Sequence, residues 1–181
     1  MNEIENVFVV SDVDGVLTDG TFLYDVNGKQ YKQFGKDDAD AIKLMRKVMP
    51  NSKITFVSSD AHGFDISKKR VADMGCELEF VSVADRPAFM ENFKAKNPDY
   101  RIAYIGDSFV DLPVWAHADI KYCVGHDIET FMSTYELKKE LGIIITDKQG
   151  GYSGFAEALL GIISYETGKR IDYLVKEYVG V

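Results

Sequence analysis

Val7-Phe8-Val9-Val10-Ser11-Asp12-Val13-Asp14-Gly15-Val16-Leu17-Thr18-Asp19-Gly20 is an apolar run that opens abruptly into two carboxylates and a glycine. Four consecutive apolar residues, three of them valines, suit a strand covered on both faces, and the acids and glycines that follow are breakers and turn formers. The stretch therefore reads as a buried strand ending in a functional loop. In open parallel α/β sheets the loops leaving the strands converge at the carboxyl edge, which is where ligands bind.

Two aspartates one residue apart, both pushed out of a hydrophobic strand, suit a division of labour in which one attacks and the other shuttles a proton. The bland alternatives are an Asp/Gly-rich turn or a calcium loop. Counted from Asp12, the fifth, sixth and twelfth positions of a calcium loop would be Val16, Leu17 and Leu23, where oxygen ligand, Gly and Glu are needed. The calcium reading fails on that spacing.

The 181 residues are the length of one ordinary domain, and 46% hydrophobic with 28% charged residues is a globular composition. The apolar runs around Ile143-Ile144-Ile145 and Leu159-Leu160-Gly161-Ile162-Ile163 are far short of the roughly 20 residues that span a bilayer. Met1-Asn2-Glu3-Ile4-Glu5-Asn6 has no signal-peptide pattern, so a cytoplasmic protein is expected. Cys76 and Cys123 lack partners at metal-ligand spacing, which points to buried thiols rather than a zinc site or disulfide framework. The net charge of −8, with no basic stripe against it, argues against nucleic acid as a partner. A small anionic substrate is still compatible, because a divalent cation creates a local positive field inside an acidic protein.

Outward from the opening stretch, 21–24 and 30–34 read as two short strands around an Asn27-Gly28 turn. Phe22, Tyr24, Tyr31 and Phe34 are too many aromatics for so small an element, so a subunit contact is expected there. Asp37-Asp38 reads as the N-cap of a helix with Ala41, Ile42, Met45 and Val48 on its apolar stripe. Strands follow at 54–57, 78–81, 101–105, 120–124 and 143–145, separated by helices at 64–74, from Asp85-Arg86-Pro87 onward, at 113–118, around Ile128 to Leu141, and at 155–167. This strand–helix alternation implies an α/β fold, a doubly wound Rossmann-like parallel sheet with a small β-hairpin and no separate cap domain. Ile171, Leu174, Val175 and Tyr178 stand at helical spacing in a C-terminal docking tail.

Four loops then meet at the carboxyl edge: Asp12/Asp14, Ser58, the helix start at Arg86, and Gly106-Asp107-Ser108-Phe109-Val110-Asp111. They form a phosphoryl-transfer kit. Asp12 can attack phosphorus and Asp14 can protonate the leaving oxygen and then activate water. Asp12 with Asp107 offers the carboxylates that Mg²⁺ bridges to a phosphate, Ser58 can donate to a phosphate oxygen, and Arg86 can neutralise charge on the phosphoryl group and on Asp12.

At these residues the chain resembles the haloacid dehalogenase superfamily of phosphotransferases. Asp12 to Gly20 is similar to its first motif, Ser58 to its second, Arg86 to the Lys/Arg of its third, and Gly106 to Asp111 to its fourth. The resemblance implies a metal held by Asp12, the backbone carbonyl of Asp14, and Asp107, with Asp111 orienting the cluster. Leu17-Thr18-Asp19-Gly20, the hairpin, Lys32-Gln33-Phe34 and Gly150-Gly151 resemble one capless branch, the phosphatases of 3-deoxy-D-manno-octulosonate 8-phosphate and of nonulosonate 9-phosphates. That branch implies a homotetramer in which hairpins of neighbouring subunits help to close each site. The 34 residues between Asp19 and Ile54 are consumed by a hairpin and one helix, which leaves no cap to restrict water.

Two departures bear on substrate. Relatives follow the second-motif Ser with Gly-Arg, where Ser59-Asp60 stands here, and an Arg after the C-terminal Gly-Gly is replaced. Lys32, Lys148 and His62 are candidates to compensate, each weighed against an ordinary surface role. The alternatives to an octulosonate 8-phosphate phosphatase are a nonulosonate 9-phosphate or other sugar-phosphate phosphatase and, from a different class, a noncatalytic oligomerisation module; retention of Asp12, Asp14, Asp107 and Asp111 argues against the latter.

Overall fold

The computed structural model describes residues 6–125, 136 and 139–180. The first strand, β1 (Asn6–Asp12), is followed by β2 (Thr18–Asp25), β3 (Gly28–Phe34), α1 (Asp38–Val48), β4 (Lys53–Ser58), α2 (Phe64–Asp73) and β5 (Glu77–Phe80). Then come α3 (Arg86–Lys96), β6 (Tyr100–Gly106), α4 (Leu112–Trp115), β7 (Ile120–Gly125), β8 (Ile144–Gln149), α5 (Gly154–Thr167) and α6 (Ile171–Val179). The helix expected around Ile128 to Leu141 lies outside the described residues except for Glu136 and 139–141.

Six strands form a parallel sheet in the order β5-β4-β1-β6-β7-β8. Strand order reverses between β1 and β6, and the crevice above that reversal is the ligand site of doubly wound sheets. Both strands end there in carboxylates.

The apolar run of β1 is buried throughout because helices cover both faces of the sheet. Its alternate residues divide between two cores. Val7 and Val9 join Ile42, Met45, Val71, Leu159 and Ile162 under α1, α2 and α5. Phe8 and Val10 join Met90, Tyr104, Val114 and Trp115 under α3 and α4, where the Phe8 ring stacks on Phe93 with centroids 3.8 Å apart. Each fully buried large side chain contributes on the order of 1.5–3 kcal/mol, so β1 anchors both layers. Among the described residues, no helix is long and apolar enough to cross a membrane.

Several local expectations are corrected. The hairpin turns at Val26-Asn27, with Asp25 opposite Gly28 at φ +112° and Tyr24 opposite Lys29, and the register shifts between that pair and Leu23 opposite Tyr31. The turn pair is thus Val26-Asn27 rather than Asn27-Gly28, and the bulge falls further along β3, at Gln30. Of the four hairpin aromatics, Phe34 packs on the chain's own core and Phe22 lines the candidate site, which leaves Tyr24 and Tyr31 facing outward.

The acids before α1 make no capping bond. Asp37 accepts a hydrogen bond from Ser153 Oγ at 2.7 Å, and Asp38 is buried with its Oδ1 unpartnered. Burial raises Asp38 to about 6 against the opposing pull of the Ala156 N–H and the Arg70 charge. Asp85, expected as the cap of α3, stands at its N-cap position but likewise makes no side-chain capping bond. Ser82 Oγ accepts from the Asp85 N–H at 3.2 Å and donates to Asp85 Oδ2 at 2.6 Å. The C-terminal segment is the helix α6, whose Leu174 is buried in the main core, with Ile171 and Tyr178 packed against it.

Candidate active site

After Asp12 the chain makes one tight turn, with the amides of Val16, Leu17 and Thr18 all donating to the Val13 carbonyl. Val13, Val16 and Leu17 are buried beneath it, and Thr18 Oγ1 accepts from the amides of Gly15 at 3.0 Å and Gly20 at 3.3 Å. This turn brings Gly15, at φ +80°, against Asp107: a Cβ there would stand 2.1 Å from Asp107 Oδ2. Glycine is required on both counts. A Cβ on Gly150 would stand 2.1 Å from the Gly15 carbonyl and 2.3 Å from that of Thr18, so the Gly150-Gly151 segment braces the same loop from behind.

A cavity of about 340 Å³ opens over this edge, lined by Asp12, Asp14, Ser58, Arg86, Asp107 and Ser108 together with Phe22, Lys29, Ser59, Asp60, Val83 and Val110. All the sequence-identified groups except Asp111 reach its wall. Asp111 lies behind it, fully buried, with both oxygens engaged: Oδ1 accepts from Arg86 Nη1 at 3.0 Å and Tyr104 Oη at 2.6 Å, and Oδ2 from the amides of Asp107 and Ser108 at 3.2 Å.

Arg86 is almost completely buried, and its guanidinium grips Asp12 with two hydrogen bonds, Nη1 to Oδ2 at 2.7 Å and Nη2 to Oδ1 at 3.1 Å. The same Nη1 also faces Tyr104 Oη at 2.6 Å. Burial pushes Asp12 up to about 7, the nearby charges of Asp111 and Asp107 add to the rise, and Arg86 opposes it. One guanidinium does not balance this cluster. Oxygens of Asp12, Asp107 and Asp111 lie within 4.8 Å of one another. An all-carboxylate donor set with surplus negative charge fits a hard divalent cation such as Mg²⁺.

Of the basic residues of the hairpin, the sequence reading names Lys32 as a candidate weighed against a surface role and misses Lys29. Lys32 is not a surface residue: its side chain is fully buried, with Nζ 2.7 Å from Asp14 Oδ1, 2.7 Å from Asp60 Oδ2 and 2.9 Å from Ser67 Oγ. Lys29 Nζ stands 2.5 Å from the same Asp60 oxygen and 3.5 Å above the Phe22 ring. Burial alone would raise Asp60, but the hydrogen bonds from Lys29 and Lys32 hold it at about 2. His62 and Lys148 are exposed, and neither lines this cavity. The available signal for Lys29 and Lys32 was the alternation of β3, which puts position 32 and the bulge-shifted position 29 on the side of Phe22.

No family model matches the chain. A curated relative, the 3-deoxy-D-manno-octulosonate 8-phosphate phosphatase of Haemophilus influenzae, is 32% identical over 169 residues, covering 86% of this chain and 92% of the relative. The cobalt-bound structure of the deoxy-D-mannose-octulosonate 8-phosphate phosphatase of Haemophilus influenzae superposes with a TM-score of 0.71 at 28% identity, covering 92% of each chain. The Moraxella catarrhalis 3-deoxy-D-manno-octulosonate 8-phosphate phosphatase, solved with magnesium, phosphate and its sugar acid, shares the fold with a TM-score of 0.75 at 19% identity, covering 96% of this chain and 93% of that one.

Proposed function

The chain belongs to the 3-deoxy-D-manno-octulosonate 8-phosphate phosphatase family of the haloacid dehalogenase superfamily, and on that premise we propose that it hydrolyses the phosphate monoester of a small sugar acid of the 3-deoxy-D-manno-octulosonate 8-phosphate type. The observation that carries the reading is the placement of Asp12 at the carboxyl end of β1, at the reversal of strand order, with Arg86, Asp107 and Ser58 beside it. A cavity of about 340 Å³ suits one monosaccharide phosphate.

Asp12 is the nucleophile. Its carboxylate oxygen attacks phosphorus, the bond to the sugar oxygen breaks, and Asp14 delivers a proton to that leaving oxygen. Asp14 then takes a proton from water, which attacks phosphorus and releases Asp12 and inorganic phosphate. Arg86 holds Asp12 in register and offsets its charge, and Ser58 donates to a phosphate oxygen. Asp12, the backbone carbonyl of Asp14, and Asp107 would hold Mg²⁺, with Asp111 orienting the Asp107 loop through its two amide contacts. Bound there, the cation supplies the charge that lets an anionic phosphate approach an anionic carboxylate. The 10⁶-fold and larger accelerations of enzymes rest on such prearranged charge.

We further read the outward face of the hairpin as the contact of a homotetramer. Leu23, Tyr24 and Tyr31 are each about two-thirds exposed and Val26 wholly so, a cost that a neighbouring subunit removes. Cys76 and Cys123 are both free thiols, in keeping with a cytoplasmic protein. The test is Mg²⁺-dependent phosphate release across phosphorylated sugar acids, neutral sugar phosphates and an aryl phosphate, with Asp12→Asn as the blank. Selective turnover of sugar-acid phosphates, abolished in Asp12→Asn, is expected. Residual activity in that variant refutes the covalent route, and absence of selectivity refutes the substrate class.

A further inference from the structure

The hairpin gives the candidate site two cations, and their hydrogen-bond accounts differ. An ammonium has three donors. Lys32 meets three acceptors, on Asp14, Asp60 and Ser67, and is saturated inside the protein. Arg86 is likewise committed to Asp12, Asp111 and Tyr104. Lys29 lines the cavity, yet among the described residues its hydrogen-bond partner is Asp60 alone. Asp60 is itself shared with Lys32, which also meets Asp14. The ammonium also rests 3.5 Å over the Phe22 ring, and its side chain is 5% exposed. Its position is fixed before any ligand arrives, which is the condition for strong and selective binding.

We propose that Lys29 is the specificity residue that binds the substrate's carboxylate, and that Asp60 and the Phe22 ring are its positioning residues. The inference rests on the sugar-acid reading above, since a phosphate ester without a carboxylate has nothing to offer this cation. Lys29 donates to the carboxylate with the N–H that Asp60 and the Phe22 ring leave free, while Asp12 and Ser58 meet the phosphate. Phe22 adds an apolar wall that dries the ion pair and strengthens it.

The test compares kcat/KM for 3-deoxy-D-manno-octulosonate 8-phosphate and for an aryl phosphate, at saturating Mg²⁺, in wild type and in Lys29→Gln, Lys29→Arg and Asp60→Asn. In Lys29→Gln the ratio of the two kcat/KM values is expected to fall on the order of 10- to 100-fold, mainly through KM of the sugar acid. Lys29→Arg, which keeps the charge over Phe22, recovers most of that ratio. Asp60→Asn, which frees Lys29 from its anchor, raises KM of the sugar acid about tenfold with a smaller change in kcat. A ratio in Lys29→Gln equal to wild type overturns the assignment, as does an equal loss on both substrates. If Lys29→Gln does not fold, Asp60→Asn with wild-type KM overturns it. A wild type without preference for the carboxylated substrate removes the sugar-acid reading and the role of Lys29 together, whereas a preference that survives Lys29→Gln removes only Lys29.

Discussion

Replacing Arg86 by Met keeps most of the aliphatic volume in the core and deletes the cation that four oxygens of three buried residues share. Asp12 loses two charge-assisted hydrogen bonds, at 2.7 and 3.1 Å, Asp111 loses one at 3.0 Å, and Tyr104 loses one at 2.6 Å. Asp111 keeps its Tyr104 and amide partners, but among the described residues Asp12 keeps only the Val13 amide at 2.7 Å. Breaking a buried pair by removing one partner costs about 3–5 kcal/mol, which is a large part of the roughly 5–15 kcal/mol that holds a domain folded. With a urea slope of about 2 kcal/mol per molar, the midpoint in chelator is expected to fall by roughly 2 M. Mg²⁺ neutralises the same carboxylates, so the gap between variant and wild type narrows when unfolding is repeated at saturating Mg²⁺. Arg86→Lys retains a charge but not the two-pronged grip, and falls between the two. Equal midpoints for Arg86→Met and wild type in chelator, or a gap indifferent to Mg²⁺, would show that Arg86 does not balance this cluster.

Asp107→Ala removes a carboxylate from the cation's donor set, and the Mg²⁺ concentration for half-maximal phosphatase activity is expected to rise at least tenfold; an unchanged metal titration strikes it from the ligands. Asp38 carries a folded-state pKa of about 6 against an ordinary value of 3.8. The folded state therefore binds the extra proton, and the stability contributed below pH 4 is lost as pH rises to 6, a swing of about 2–3 kcal/mol. Asp38→Asn should raise the thermal midpoint at pH 7.5 and converge with wild type near pH 4; a pH-independent difference contradicts the account. Leu23→Asp combined with Tyr31→Asp puts charges on the outward hairpin face, and the sedimentation coefficient is expected to drop to that of a smaller species. A profile identical to wild type removes the hairpin from the subunit contact.

Much of this fold follows from patterns that are local in the chain. The continuous apolar run at 7–10 forces a strand covered on both sides, and alternation of such runs with helical stripes forces the parallel sheet. Carboxylates that erupt at Asp12 and Asp107 then share one edge, because parallel strands all end on the same side. Elsewhere local chemistry pointed the wrong way. Asp37, Asp38 and Asp85 have the right residue type and position for caps, but a cap forms only if no better partner arrives, and Ser153, the packing of α5 and Ser82 each supplied a competitor.

The sequence by itself determined the α/β alternation, the carboxylate-bearing loops and the residue types of the candidate site, since these depend on composition and short spacing. Only the tertiary structure decided which charges meet: Arg86 with Asp12 across 74 positions, Lys29 with Asp60 across 31, and Lys32 with both Asp14 and Asp60. Such pairings depend on how the hairpin folds over the sheet edge and how deeply each side chain is buried. A charged residue's spacing along the chain carries no record of burial, so Lys32 reads as a surface lysine until β3 is laid across the site.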